Sequence, residues 1–255
     1  MKATIIAEIG INHCGDLRTA KKMIELAKSN GADVAKFQLY KPEKLLVRQD
    51  FCERDWKVIL ASELSFLEAR ELKDYCDLFG IEFMASAFDY ERLGWLEDFG
   101  VKRHKIASRM IYDREYCEAV KATFKPYLVS SGRVNDSLDG SWLDAQEWLI
   151  SSSLRRTAAR MSFLYCISEY PTPLQKLNFK SWSFFGIHRT YDGFSDHTVG
   201  LTAAKTAIAL GAKIIEKHFT MDRSLPGPDQ AGSMTPDELK ELCKFKDEFA
   251  EIMGG

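Results

Sequence analysis

The sequence lacks several features that would place it quickly in a functional class. Its 255 residues carry 35 basic and 37 acidic side chains, a formal net charge of −2, so no basic excess favours nucleic-acid binding. No run reaches the ~18 apolar residues that span a membrane. Glu8 interrupts the apolar N-terminus too early for a signal peptide. These absences predict a cytoplasmic protein that binds neither nucleic acid nor membrane.

Other absences concern the fold. The six cysteines form no CxxC pair, which predicts reduced thiols rather than a disulfide framework. No GxGxxG follows the first apolar run, which argues against a dinucleotide-binding open sheet. No low-complexity linker or internal repeat divides the chain, and its length suits one large core. We therefore expect a single domain over residues 1–255.

What the sequence does contain is an alternation of short apolar runs with longer amphipathic stretches. The runs predict eight strands, at Thr4–Ile9, Asp33–Gln38, Ile81–Ser86, Arg103–Ala107, Tyr127–Ser130, Met161–Cys166, Gly193–Ser195 and Lys213–Lys217. Helical periodicity predicts helices at Leu17–Ser29, Ser65–Phe79, Tyr90–Asp98, Asp113–Ala122, Ser137–Ser151, around Leu174–Phe185, Leu201–Leu210 and Pro236–Met253. Eight βα units are the number that closes a (β/α)8 TIM barrel, the predicted α/β fold. A doubly wound open sheet is the alternative.

Glycines and capping residues support these helix ends. Gly31, Gly80, Gly100 and Gly211 each follow a periodic stretch, where a helix stop favours positive φ. Thr235 before a first-turn proline, with a glutamate three residues later, predicts a capping box.

Polar residues end the predicted strands, and the carboxyl ends of barrel strands form the functional face. Lysines and serines there predict a pocket for a small oxyanion. Lys36 lies mid-strand, and its structural alternative is pairing with Glu8 or Glu216. The strand-end residues are Glu8, Asn12, His13, Lys36, Gln38, Ser86, Lys105, Ser108, Ser130, Ser131, Ser168, Glu169, Tyr170, Ser195, Asp196, His197, Glu216, Lys217 and His218.

Two histidines predict a metal site. His197 and His218 end the seventh and eighth strands, which are neighbours in a barrel, so their imidazoles can converge on a divalent ion. The alternative is hydrogen bonding to adjacent loops.

The stiff turn Pro226–Asp229 can direct the Asp229 carboxylate over the barrel mouth, although such turns more often carry a solvated carboxylate. Cys166 ends the sixth strand without a base to activate it.

Five segments closely resemble the sialic acid synthase family, which includes N-acetylneuraminate, legionaminate and pseudaminate synthases. They are AEIGINHCG (Ala7–Gly15), KFQLYKPE (Lys36–Glu43), SEYPTP (Ser168–Pro173), FSDHTVG (Phe194–Gly200) and EKHFTMDRSLPGPDQAGSMTPDEL (Glu216–Leu239). The resemblance implies condensation of phosphoenolpyruvate with an N-acyl hexosamine. The products would be a 3-deoxy-2-keto, sialic-acid-like acid and phosphate.

The resemblance also implies roles for individual residues. Phosphoenolpyruvate would be bound by Lys36, Ser86, Lys105, Ser108, Ser130, Ser168 and Ser195, and the acceptor sugar by Gln38, Tyr170 and Asp229. The metal, Mn²⁺ or Mg²⁺ first and Co²⁺ or Zn²⁺ as alternatives, would be held by His197 and His218. Catalysis would involve Glu8, Lys36 and Asp229.

The sequence departs from the family pattern in two places. The family run KIGSGE appears here as Lys105–Met110, so Met110 stands where a glutamate usually contacts the sugar. The chain also carries no antifreeze-like C-terminal domain, so we expect a homodimer or a partner subunit to cover the barrel mouth. The rival functions are another metal-dependent aldolase or 3-deoxy-2-keto acid synthase using a different aldose, and a barrel that only binds a ligand or partner.

Overall fold

The computed structural model describes residues 2–45, 48–132, 161–180 and 191–254. Eight parallel strands close into a barrel in sequential order, which confirms the predicted (β/α)8 fold and excludes the open sheet. The strands are β1 (Thr4–Gly10), β2 (Val34–Leu39), β3 (Glu82–Ala87), β4 (His104–Ile106), β5 (Tyr127–Ser130), β6 (Met161–Cys166), β7 (Gly193–Asp196) and β8 (Ile214–His218). Each predicted strand is found within one or two residues of its expected ends.

Helices surround the barrel. They are α1 (Leu17–Ser29), α2 (Pro42–Leu45), α3 (Glu53–Ala61), α4 (Phe66–Phe79), α5 (Tyr90–Asp98), α6 (Arg114–Ala122), α7 (Thr202–Ala209) and α8 (Pro236–Ile252). The predicted helix Ser137–Ser151 lies outside the described residues. Of the predicted stretch Leu174–Phe185, the described part contains only a 3₁₀ turn at Leu174–Lys176, which corrects the helix prediction there.

The predicted helix ends are confirmed. Gly80 adopts a left-handed conformation, φ 65°, at the end of α4, and the other three stop glycines also have positive φ. Thr235 and Glu238 form the predicted capping box at the start of α8. A β-branched cap residue and a first-turn proline therefore begin this helix as the sequence indicated.

An apolar layer fills the barrel beneath its carboxyl end. Six buried residues from six strands form it, and we call them the plug: Ile6, Val34, Met84, Leu128, Leu164 and Ile214. Each plug residue is followed two positions later by a side chain at the next level of the barrel. Those six following residues are Glu8, Lys36, Ser86, Ser130, Cys166 and Glu216. The two-residue period of the strands thus places a polar layer directly above an apolar one.

The chain between β2 and β3 contains two helices, α2 and α3, that the sequence did not predict. Helix α3 begins at Glu53, with Cys52 as its cap, and buries Val58 and Ile59. Its cysteine cap and short apolar face gave no recognised start signal. This segment projects over the carboxyl end of the barrel and lines the cavity described below.

All six cysteines lie in the described part of the chain and none forms a disulfide there. Among the described helices, none has the length and apolar character that would cross a bilayer.

Candidate active site

A cavity of about 590 Å³ opens at the carboxyl end of the barrel. It is lined by every residue that the sequence assigned to catalysis, phosphoenolpyruvate, the sugar or the metal: Glu8, Lys36, Gln38, Ser86, Lys105, Ser108, Ser130, Ser168, Tyr170, Ser195, His197, His218 and Asp229. These side chains come from all eight strand ends. The barrel therefore brings together residues that are up to 221 positions apart in the chain.

The base of the cavity is a buried cluster of four charges, which we call the floor cluster: Glu8, Lys36, Lys105 and Glu216. Lys36 Nζ lies 2.9 Å from Glu8 Oε1 and 3.4 Å from Glu216 Oε2. Lys105 Nζ lies 3.4 Å from Glu216 Oε1 and donates to Ser130 Oγ at 2.7 Å. Two cations and two carboxylates balance, which is the condition for burying charge at tolerable cost.

Burial and charge act in opposite directions on these groups. Burial alone would lower the pKa of Lys36, but the Glu216 and Glu8 carboxylates outweigh it and the pKa is raised. Burial lowers the pKa of Lys105, and Glu216 offsets this only in part because Lys36 repels it. Glu216 is buried too, yet the two lysines lower its pKa to about 2. The charged forms of Lys36 and Glu216 are therefore favoured by their mutual contact, despite their burial.

Lys36 fits both interpretations that the sequence allowed, an anion-binding residue and a partner of internal carboxylates. It pairs with Glu8 and Glu216, as the structural alternative required, and it also faces the cavity. Glu216 was placed at a strand end by the sequence but was not assigned to the site. Its position between the two lysines depends on closure of the barrel, which places β8 beside β1, two strands from β2 and across the barrel from β4. No local sequence signal reports that approach.

Hydroxyl groups form one side of the cavity. Ser108 Oγ accepts a hydrogen bond from the Gly132 backbone N–H at 2.9 Å. A Cβ atom built on Gly132 would lie 2.5 Å from Ser168 Oγ and 3.0 Å from Ser108 Oγ. The absence of a side chain at Gly132 therefore lets two serines from different strands approach each other. Sequence reasoning missed this glycine, which lies two residues after the end of the fifth strand.

The two histidines converge. Their ring centroids lie 5.7 Å apart, and both rings line the cavity. His197 Nδ1 donates to the Ile167 carbonyl at 2.7 Å, which leaves Nε2 as the ring's lone-pair nitrogen. Burial, with repulsion from His218, lowers the pKa of His197 to about 3. A neutral imidazole with a fixed tautomer is suited to binding a metal ion.

His218 lies beside Asp229. Its buried Nδ1 has no hydrogen-bond partner, and the nearest carboxylate atom, Asp229 Oδ2, is 4.0 Å away. The unpartnered imidazole nitrogen and the adjacent carboxylate oxygen are both atoms that bind divalent metal ions in proteins. Within the described ranges, no group of three His, Cys, Asp or Glu side chains is close enough to hold a metal alone. The residues thus fit a two-imidazole site in which further positions are left to water or substrate oxygens.

Glycine at position 10 allows the close approach around these groups. β1 changes register between Glu8 and Gly10, and Gly10 adopts φ 53°. A Cβ there would lie 3.2 Å from Gln38 Nε2 and 3.6 Å from His218 Cε1. Gln38 Nε2 donates to Glu8 Oε1 at 3.0 Å, so the predicted sugar-side amide contacts the floor cluster directly.

The outer part of the cavity is formed by residues that sequence reasoning did not select. We call them the wall: Leu45, Asp50, Phe51, Cys52, Asp55 and Ile59. Arg109 faces the wall and donates through Nη1 to the Leu45 carbonyl at 3.0 Å. Met110 is 8% exposed in the hydrophobic core and does not line the cavity. The altered family run therefore presents Arg109, rather than the residue at position 110, to the site.

Some strand-end residues serve the scaffold instead. Lys217 and Asp196 form a fully buried ion pair, 3.0 Å between Nζ and Oδ2, on the outer side of the strands. Asn12 and His13 are buried beside the cavity and do not line it. Burial raises the pKa of the Cys166 thiol to about 11, so it stays protonated. His197 Nδ1 lies 3.8 Å from Cys166 Sγ, closer to a base than the sequence predicted, but this nitrogen donates to the Ile167 carbonyl.

Comparison with known proteins gives consistent matches. The model of the NeuB family matches residues 23–255. The chain is 34% identical to N,N'-diacetyllegionaminic acid synthase of Legionella pneumophila, covering 100% of this chain and 74% of the relative. It is 34% identical to human N-acetylneuraminate-9-phosphate synthase, covering 94% and 68%. The crystal structure of the N-acetylneuraminic acid synthetase of Leptospira borgpetersenii superposes with a TM-score of 0.84 at 31% identity, covering 100% and 86%.

Proposed function

The chain belongs to the NeuB family, and from that premise we propose that it is an enzyme condensing phosphoenolpyruvate with a sugar aldehyde of the N-acyl hexosamine type. The products are a 3-deoxy-2-keto, sialic-acid-like acid and inorganic phosphate. Relatives named as synthases of legionaminic, neuraminic and pseudaminic acids support this reaction class. The observation that carries the proposal is the convergence of thirteen family-matching residues on one cavity.

The floor cluster and the serines would bind phosphoenolpyruvate. Lys36 and Lys105 supply two positive charges at the base of the cavity. Ser86, Ser108, Ser130, Ser168 and Ser195 supply short hydroxyl donors around them. Groups fixed on barrel strands need little reorganisation as charge moves during the reaction, which is the source of electrostatic catalysis.

His197 and His218 would hold a divalent metal, Mn²⁺ or Mg²⁺ in the first instance, whose Lewis acidity makes an aldehyde carbon more electrophilic. Gln38, Tyr170 and Asp229 would orient the acceptor above the enol phosphate. Tyr170 lies against the His197 ring, 4.1 Å between centroids, at the boundary between the two substrates.

The bond changes balance with the addition of one water. The methylene carbon of phosphoenolpyruvate bonds to the aldehyde carbon, and the aldehyde oxygen gains a proton. Water adds to the former enol carbon, and phosphate leaves by cleavage of its C–O bond. Glu8 and Asp229 would be the carboxylates that move these protons, and this is supported by the contact of Glu8 with Lys36 in the floor and by the position of Asp229 beside His218.

The test is phosphate release from phosphoenolpyruvate with Mn²⁺ and a panel of N-acyl hexosamines and simple aldoses. We expect release that depends on an N-acyl hexosamine and stops with a chelator. Release of free pyruvate would favour an aldolase, and a requirement for a plain or phosphorylated aldose would favour a shorter-chain synthase. Binding of phosphoenolpyruvate without turnover over the whole panel would reject the proposed enzyme in favour of a binding protein.

The metal assignment has its own prediction. His218→Asn should weaken Mn²⁺ binding by at least 10-fold and lower phosphate release in parallel, because only one imidazole is left. Isothermal titration with Mn²⁺ measures the affinity. His104→Asn is the matched control, since His104 is buried against Glu97 away from the cavity. Equal Mn²⁺ affinity in His218→Asn and wild type would remove the two-histidine site.

Coverage of the barrel mouth stays a prediction. Tyr170 is 53% exposed although its ring packs against that of His197. A second copy of the chain or a partner subunit is proposed to cover it. Sedimentation of the purified chain, alone and with both substrates, tests whether it is a homodimer.

A further inference from the structure

The loop that carries Asp229 is held from the opposite end of the chain. This β8 loop, residues 219–235, follows His218 and contains Asp229 in the turn near its middle. The residues on either side of Asp229 make hydrogen bonds to the segment after β1. We propose that Asn12 is the positioning residue that sets Asp229 beside His218, an inference that rests on the proposed function.

Both donors of the Asn12 amide are used within this connection. Asn12 is 1% exposed, and its Nδ2 donates to the Phe219 carbonyl at 2.9 Å and to Ser233 Oγ at 2.9 Å. Ser233 Oγ donates in turn to the Asp229 carbonyl at 2.7 Å. One amide group therefore reaches the residue after His218 and, through one hydroxyl, the backbone of Asp229.

A second set of bonds runs in the same direction. Gln230 Nε2 donates to the Asn12 carbonyl at 3.1 Å and to the Pro226 carbonyl at 3.3 Å. Cys14 Sγ also lies 3.3 Å from the Pro226 carbonyl. The turn around Asp229 is thus tied on both sides to residues 12–14. Both protons of Asn12 Nδ2 are used, whereas its buried Oδ1 has no partner among the described residues. Leaving a buried donor without an acceptor is costly, so the two bonds fix the orientation of the amide.

The geometry explains why a residue outside the cavity affects it. Asn12 does not line the cavity, and its amide sets the separation between the β8 end and the Asp229 turn. Asp229 is in turn the carboxylate nearest His218. Phe219 N–H donates to the Glu8 carbonyl at 2.8 Å, a backbone bond that a change of the Asn12 side chain leaves in place. Among the described residues, no side chain of the floor cluster or of the cavity serines bonds to this network, so phosphoenolpyruvate binding should be little affected by its loss.

Asn12→Asp is the test variant, because it keeps the shape of the side chain and removes both donors. We expect kcat/KM for the acceptor to fall by roughly 10- to 100-fold, the usual effect of losing a supporting hydrogen bond. The KM for phosphoenolpyruvate should change by less than about 2-fold. Asn30→Asp is the matched control, since Asn30 caps α1 at the other end of the barrel through a bond to the Leu26 carbonyl. It should leave both constants unchanged.

A double-variant comparison shows whether Asn12 acts through Asp229. In an Asp229→Asn background, adding Asn12→Asp should cost little more than Asp229→Asn alone, because the group it positions is already lost. Losses that multiply across the two variants would overturn the proposal and give Asn12 a general structural role. Ser233→Ala, which cuts only the second step of the connection, provides a milder variant if Asn12→Asp does not fold.

Hydrogen exchange tests the positioning without relying on turnover. In Asn12→Asp, amides of residues 226–234 should exchange faster than in wild type, whereas those of β3 should not. Unchanged exchange at 226–234 would overturn the inference whatever the activity. Absence of phosphate release in wild type, with faster exchange in Asn12→Asp, would reject the proposed function and leave the positioning of the loop supported.

Discussion

The floor of the cavity and its wall are built by different parts of the fold. The floor cluster and the serines lie on or directly after strands, above the apolar plug, and nearly all are buried. The wall comes from the connection between β2 and β3, and Asp50 and Cys52 within it are exposed. In (β/α)8 enzymes, residues on the rigid strands hold the reacting groups, and the loops vary with the substrate. By the proposed function, the floor would bind phosphoenolpyruvate and the wall would select the acceptor sugar.

The largest effect should follow from breaking the floor. Lys36→Met removes a cation that contacts two carboxylates, so kcat/KM for phosphoenolpyruvate should fall by about 1000-fold. Unfolding free energy should also fall, by about 3–5 kcal/mol, because buried carboxylates lose their partner. Phosphate-release kinetics and denaturant unfolding measure the two losses.

Lys246→Met is the control for that variant. Lys246 is also a buried lysine, 3.0 Å from Asp33, and lies outside the cavity. It should lose stability and keep wild-type kinetic constants. A Lys36→Met enzyme within 10-fold of wild type would show that the floor cluster is only structural.

A smaller effect should follow at the serine side of the floor. Gly132→Ala places a Cβ 2.5 Å from Ser168 Oγ, 2.8 Å from Cys166 Sγ and 3.0 Å from Ser108 Oγ, so these side chains must shift and the proposed phosphate donors are displaced. We expect KM for phosphoenolpyruvate to rise by about 100-fold, with a lower melting temperature because Cys166 is buried. Gly94→Ala, in open space on α5, should instead add about 0.5–1 kcal/mol of stability without kinetic change. Similar kinetics in the two alanine variants would contradict the assigned role of Gly132.

The smallest effect should come from the wall. Asp55→Asn removes one charge from a partly exposed lining residue, so KM for the acceptor should rise by about 3- to 10-fold, the range for one solvated polar contact. The KM for phosphoenolpyruvate should stay constant. Asp74→Asn, on the outer surface of α4, is the control. A change in phosphoenolpyruvate KM in Asp55→Asn would mean that floor and wall are not separable.

The same division explains what could be predicted from the sequence. Short apolar runs in the sequence predict the strands. Because side chains alternate between the two faces of a strand, Lys36 and Gln38 then lie on one face. Every residue that the sequence assigned to catalysis, a substrate or the metal lines the cavity, whereas the strand-end residues Asn12, His13, Asp196 and Lys217 do not. Their roles in binding and catalysis stay predictions.

Contacts that depend on closure or on irregular chain could not be predicted in this way. Glu216 was visible as a strand-end carboxylate, but its place between two lysines follows from distances across the closed barrel. Helix α3 begins at a cysteine cap, an unusual start signal, so the wall was missed. The sequence drew attention to Met110, but the residue of this run that lines the cavity is its half-buried neighbour Arg109.

The balance of two lysines and two glutamates in the floor cluster also limits which substitutions could be used to redesign this barrel. Any single substitution that removes one of these charges leaves another buried charge without a partner. Variants of the floor cluster would therefore need two substitutions that together keep the net charge at zero. Residues around α3 carry no such constraint and could be exchanged one at a time. Variant libraries that aim at new acceptor sugars are therefore best confined to the segment between β2 and β3, with the four charged residues of the floor cluster left unchanged.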